Sequence, residues 1–194
     1  KNGVILFGPS KLDKNIPREF KPQPKLSNIY RESEIWSNLI GVDKVLTLNK
    51  IIENKEEKSN IARYIIRSIT RMVGIEAARE EYIEESRHQY FIAAVENDIP
   101  IGFLCLKGTG KDTYEIAVMG VKKEYQHVGI GKQLFVAAKQ YAKQQGISFL
   151  QVKTVAMGHY EEYDQTNKFY LSLGFKEFEV FPTFGINTIP ARCM

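Results

Sequence analysis

The sequence predicts an α/β fold: a mixed, mainly antiparallel sheet containing one parallel strand pair, with flanking helices. Three observations carry that expectation. Apolar runs of strand length joined by turn residues fill 89–121, helix-spaced apolar residues fill about 56–87 and again follow Gly129, and a strand–loop–helix–strand succession spans 114–155. With 194 residues, 43% hydrophobic and 26% charged, the chain can bury one sizeable core, since domains run to roughly 100–200 residues.

Residues 1–41 hold four of the seven prolines, Pro9, Pro17, Pro22 and Pro24. Each proline biases its predecessor away from the helical region, so the stretch from Lys21 to Lys25 cannot be helical. This segment is read as an extension of unknown role, and residues 42–194 as the folded domain. Val45 to Leu48 reads as a short strand. Ile61, Ile65, Ile66 and Ile69 recur at helical spacing and predict a helix over about 56–70, with a second over 74–87. Two apolar runs, Gln89 to Glu96 and Pro100 to Lys107, flank the turn pair Asn97-Asp98 and predict a hairpin. A second turn at 108–112 leads into a third strand, Tyr114 to Val121.

Beyond Gly129 the period changes to 3.6, with Ile130, Leu134, Phe135, Ala138, Tyr141 and Ala142 on one face of a helix that Gly146 ends. Ile147 to Val155 reads as one further strand, parallel to the strand before the helix because a crossover joins them. Asp164 is expected to cap a short helix over 165–172 that stops at Gly174, and Lys176 to Phe181 is the last expected strand.

The longest apolar runs, such as Val4 to Phe7, fall far short of the roughly 20 residues of a membrane span or the 7–15 of an export-signal core. With Cys105 in an apolar strand and Cys193 near the end, a structural disulfide is not expected, and the compartment is read as cytoplasmic. The net charge of +4 comes from 27 basic and 23 acidic residues spread along the chain. Nucleic-acid binders gather charge in a stripe, so no nucleic acid is expected, while a mild basic excess suits an anionic cofactor. Gly108 to Asp112 lacks the Gly at 105 and the Ser or Thr at 112 of a P-loop, and reads as a turn. His88, His127 and His159 have no metal-pair spacing, and no metal is expected. Glu76, Glu80, Glu81, Glu84 and Glu85 form an acidic face that could attract a cation but reads first as solvated.

The segment richest in chemistry is Gln126-His127-Val128-Gly129-Ile130-Gly131-Lys132, between a strand and an amphipathic helix. Glycines let backbone N–H groups approach an anion, and the helix N-terminus adds partial positive charge, a combination suited to pyrophosphate. Lys122, Lys123 and Lys132 flank it. The Gln126-x-x-Gly129-x-Gly131 spacing resembles the acetyl-CoA signature of the GNAT acetyltransferases. Downstream, Asn167-x-x-Tyr170 followed by Gly174-Phe175 is similar to that family's Asn…Tyr…Gly-Phe helix. The resemblance covers about 44–182.

It implies a sheet whose fourth and fifth strands, here 114–121 and 147–155, splay apart around the pantetheine arm of acetyl-CoA as co-substrate. Met119, Gly120 and Val121 would meet the thioester through their backbone, and the N–H groups of 126–132 the pyrophosphate. Glu115 would serve as base and Tyr170 as acid toward the leaving thiolate. Asn167 would bond the pantetheine amides or help cap its helix. The family's final strand normally continues past 182, so a short final strand is expected here. Each residue also has a structural reading: Glu115 as an outward strand residue, Tyr170 as a packed aromatic.

The expected function is transfer of an acetyl group to a primary amine of a small molecule or protein, by direct attack in a ternary complex, with a homodimer left open. The alternative is a non-catalytic acyl-CoA-binding or interaction module.

Overall fold

The computed structural model describes residues 48–69, 76–181 and 190–194. The expected extension 1–41 and the start of the first strand at Val45 lie outside them. In chain order the elements are β1 (Leu48–Ile51), α1 (Lys55–Ile69), α2 (Glu76–Ser86), β2 (Tyr90–Glu96), β3 (Ile99–Gly110), β4 (Thr113–Val121), α3 (Ile130–Gln144), β5 (Phe149–Gln151), β6 (Lys153–Val155), α4 (Glu161–Ser172), β7 (Glu179–Phe181) and β8 (Ala191–Cys193). Strands β1 to β5 form one sheet in that order, and a second sheet runs β6-β8-β7. The first is antiparallel except for the parallel β4–β5 pair.

Local chemistry explains the elements. The Asn54 side-chain oxygen accepts the N–H groups of Glu56 and Glu57 at 2.9 and 3.0 Å, capping α1. Asn97 and Asp98 both take positive φ, 50° and 63°, as a two-residue hairpin turn requires and as these side chains tolerate. The β3–β4 strands run on to Gly110 and Thr113, so Gly108–Gly110 belong to the strand and the turn is Lys111-Asp112.

The core is two layers, one on each face of the sheet. Ile61, Ile65, Ile66 and Ile83 of α1 and α2 pack on Phe91, Phe103, Cys105 and Val118. Leu134, Phe135 and Ala138 of α3 and Tyr170 of α4 pack on Ile92, Leu104, Ile116 and Met119. The two faces exchange along β4 at a bulge: Cys105 pairs with Val118 and Leu106 with Ile116, which leaves Ala117 as the extra residue.

Three expectations need correction. The strand expected over 147–155 is two strands in different sheets, because at Val152 the backbone turns from β4 to exchange hydrogen bonds with Met194, at 2.8 and 3.0 Å. Helix α4 begins at Glu161, one turn early, and Asp164 inside it accepts the Gly158 N–H at 2.8 Å instead of capping. The last expected strand is confined to Glu179–Phe181, and a further strand, β8, lies between β6 and β7. No helix among the described residues is long and apolar enough to cross a membrane.

Candidate active site

Strands β4 and β5 pair only at Thr113–Phe149, Tyr114–Leu150 and Glu115–Gln151. Beyond Glu115, β4 continues to Val121 with β3 as its one paired neighbour among the described strands, while the chain after Gln151 leaves with β6 for the second sheet. A wedge therefore opens at Glu115 and Gln151, and one edge of it is the unpaired backbone of 116–121. Met119 is 2% exposed and lies in the same core layer as Tyr170. Gly120 is glycine because of α1: a Cβ there would meet Ile65 and Ile69 at 3.1 Å and Phe103 at 3.3 Å. Its side-chain direction is thus filled by the core, and what it offers the wedge is backbone.

Val121 ends the strand, and the loop after it is tied at both ends. The Gln126 amide donates to the Val121 carbonyl at 2.8 Å, and the Tyr125 hydroxyl donates to Glu96 at 2.6 Å. His127 and Gly129 then take positive φ, 62° and 93°. Alternating handedness turns successive N–H groups toward one side, the geometry of an anion nest. The N–H groups from His127 through Val128, Gly129, Ile130, Gly131 and Lys132 have no backbone acceptor; the first donor into the helix is Gln133, to Gly129 at 3.0 Å. The first turn of α3 contains no acidic residue. Free donors, the helix dipole and Lys132 suit a pyrophosphate. Gly131 is also a packing position, since a Cβ would meet Phe169 at 3.0 Å and Met119 at 3.1 Å. There β4, α3 and α4 converge. Lys122 is engaged by Glu124 at 3.0 Å and the Tyr64 hydroxyl at 3.2 Å.

Tyr170 is 1% exposed, with the rings of Phe169 and Phe175 at 5.4 and 5.5 Å. Burial alone pushes its hydroxyl well above the ordinary tyrosine range. Leu171 is exposed and Leu173 half-buried, and α4 is held by Tyr163, Thr166, Asn167 and Tyr170. Asn167 is fully buried. Its amide nitrogen donates to the carbonyls of Val155 at 2.9 Å and Tyr163 at 2.8 Å, joining α4 to β6, and its oxygen faces Arg192 at 3.4 Å.

Glu115 stands at the neck of the wedge. Its Oε2 accepts from Lys153 Nζ at 2.7 Å and from Gln151 Nε2 at 3.1 Å, with its side chain 15% exposed. Sequence reasoning missed both partners, because their proximity depends on where β6 departs. It also missed Thr154, whose hydroxyl is buried without a hydrogen-bond partner, and an open groove of about 510 Å³ beside the loop, lined by His127, Gln165, Lys168, Phe169 and Ser172. Among the described residues no group of three His, Cys, Asp or Glu gathers as a metal site. Glu80, Glu84 and Glu85 of the acidic face pair with Arg63, Arg87 and Lys107.

Residues 86–177 match the family model described as the acetyltransferase (GNAT) domain. A comparison with curated protein sequences returns no significant match. Among solved structures, the chain is similar to a protein assigned to the GNAT family from Desulfovibrio desulfuricans, at 20% identity and TM-score 0.65, covering 76% of this chain and 96% of that one. It is also similar to an acetyltransferase from Streptococcus agalactiae, at 18% identity and TM-score 0.60, covering 76% and 96%. A third is the ribosomal-protein-S18-alanine N-acetyltransferase from Escherichia coli, at 17% identity and TM-score 0.58, covering 75% and 91%. At these identities the structural likeness speaks for the fold, and the family model marks residues 86–177 as a GNAT acetyltransferase domain, of a family whose co-substrate is acetyl-CoA.

Proposed function

We propose that this protein transfers the acetyl group of acetyl-CoA to a primary amine, by direct attack within a ternary complex. The observation that carries the reading is the parting of β4 from β5 after Glu115, which leads an unpaired strand edge to six unpartnered N–H groups at the start of α3. Those donors fit a pyrophosphate, the strand edge fits the amides of a pantetheine arm, and the Tyr170 hydroxyl is buried in the layer that holds Met119. The bound thioester supplies an activated acyl carbon.

The chain's own groups do the rest. A backbone N–H near Met119 polarises the thioester carbonyl, as a preorganised donor does best in a water-poor site. Glu115 removes the proton that an ammonium must lose before it can attack. Tyr170, kept protonated by burial, hands its proton to the departing thiolate. Asn167 holds α4 against β6 so that the tyrosine stays in place. The acceptor is an amine of a small molecule or a protein. The free, buried thiols of Cys105 and Cys193 accord with a cytoplasmic setting.

One observation favours a second reading, a non-catalytic acyl-CoA-binding module: Glu115 is already engaged by a lysine of its own chain. Incubation with acetyl-CoA and a panel of amines, following free thiol, separates the two. Amine-dependent thiol release supports transfer. Binding of acetyl-CoA without release for any amine supports the module.

A further inference from the structure

Lys153 lies two residues beyond the last β5 residue, on the strand that has already turned toward the second sheet. Its ammonium nonetheless reaches back across the neck of the wedge to Glu115 Oε2, at 2.7 Å. Gln151, on the same face, closes on the same oxygen at 3.1 Å and also donates to Thr109 at 3.0 Å, so the carboxylate is held from the β5 side. The lysine is one-third exposed and the carboxylate less, at 33% and 15% of their side-chain surfaces. Other groups near them are the Cys193 thiol, which faces Gln151 at 3.6 Å, the Glu179 carboxylate near that thiol, and the Tyr82 hydroxyl of α2, which feels the charge of Glu115. A primary amine of this chain is thus in contact with the group assigned to deprotonate the acceptor.

From this geometry we infer that Lys153 is itself an acetyl acceptor, and that the protein modifies its own Lys153 when acetyl-CoA is bound. The inference rests on the acetyl-CoA reading of the wedge. In the step, Glu115 takes a proton from the Lys153 ammonium, and the free Nζ attacks the thioester carbonyl carbon. The new bond is an amide N–C bond and the broken bond is C–S. As the C–S bond breaks, the nitrogen gives up its second proton to the departing thiolate, and Glu115 passes the first to solvent, giving CoA thiol and Nε-acetyl-Lys153 with no oxidant or reductant. The product loses its charge, so the ion pair to Glu115 is dissolved and the carboxylate becomes free for an external amine.

The test is peptide mass spectrometry of the full chain after incubation with acetyl-CoA and no amine, with the melting temperature recorded in the same samples. A gain of one acetyl group at Lys153 is expected, at least tenfold faster than at the exposed helix lysines Lys139 and Lys143. Its rate per molecule should not change with protein concentration, as an intramolecular step requires. Glu115→Gln should slow modification of Lys153 at least tenfold and leave the background at Lys139 and Lys143 unchanged. If acetyl-CoA raises the melting temperature but Lys153 reacts no faster than Lys139 and Lys143, the inference is overturned and the cofactor reading stands. If acetyl-CoA produces neither a melting shift nor modification, both fall together. Modification whose rate per molecule rises with protein concentration overturns the intramolecular step.

Discussion

Tyr170 sits in the core layer that holds Met119, with its ring between Phe169 and Phe175, and the proposed reaction makes its hydroxyl the acid. Tyr170→Phe keeps the ring in its aromatic cluster and removes only the oxygen. Turnover should fall by about 10²-fold, with KM for acetyl-CoA little changed, the signature of an interaction made in the transition state. Full kcat would make Tyr170 a packing residue. Asn167→Ala acts differently, because it strips the Val155 and Tyr163 carbonyls of their donor; chemical denaturation should show a loss of about 1–3 kcal/mol, and an unchanged midpoint would contradict the role as a pin between α4 and β6. At this scale legibility followed locality. Gly129, Gly131 and Tyr170 stood in motifs whose members lie within a few residues of one another. The Glu115–Lys153 contact spans 38 residues of crossover and depends on strand register, so no local pattern could announce it.

Among the elements, α3 carries the proposed anion site, and its first turn is also a packing joint. Gly131→Val would push a side chain against Phe169 and Met119, at a cost of about 1–3 kcal/mol for overpacking. It would also displace the loop N–H groups. The variant should fold with a lowered melting temperature and lose the stabilisation acetyl-CoA gives the parent; a variant that kept that stabilisation in full would move the anion site away from this helix. Helices and hairpins were legible because their apolar periods and turn residues are strong: Ile61, Ile65 and Ile66 mark the buried stripe of α1, and Asn97-Asp98 the turn. The break at Val152 was not, since Ile147 to Val155 has no proline or glycine to interrupt it, and the cause is the remote β8 claiming its hydrogen bonds. β8 itself is three residues long and is held by pairing on both sides, which leaves no period to read. The start of α4 was misplaced because Asp164 has a cap's chemistry but spends it on the Gly158 N–H.

At the scale of the described residues, the five-stranded sheet is covered on both faces, and burial acts on three tyrosines of the sheet and the helices packed against it, Tyr82, Tyr90 and Tyr170. Burial pushes Tyr82 and Tyr90 up to about 12 and Tyr170 further, whereas an unfolded chain releases these protons near the ordinary value of 10.0. Above that value the unfolded state binds fewer protons than the folded one, so stability is full below pH 10 and falls as pH rises from there. Melting temperatures should therefore decline most steeply between pH 10 and about 12, and the Tyr90→Phe, Tyr170→Phe double variant should decline less; an identical slope would show that these burials are not what limits alkaline stability. The central claim is that the parting of β4 and β5 is the seat of acetyl-CoA, and a crystal structure of the protein with acetyl-CoA tests it most directly. The account predicts phosphate oxygens within about 2.7–3.2 Å of N–H groups between residues 127 and 132, the pantetheine arm along the edge 116–121, and the thioester sulfur facing Tyr170. Acetyl-CoA found elsewhere on the protein, with the wedge closed, would contradict it.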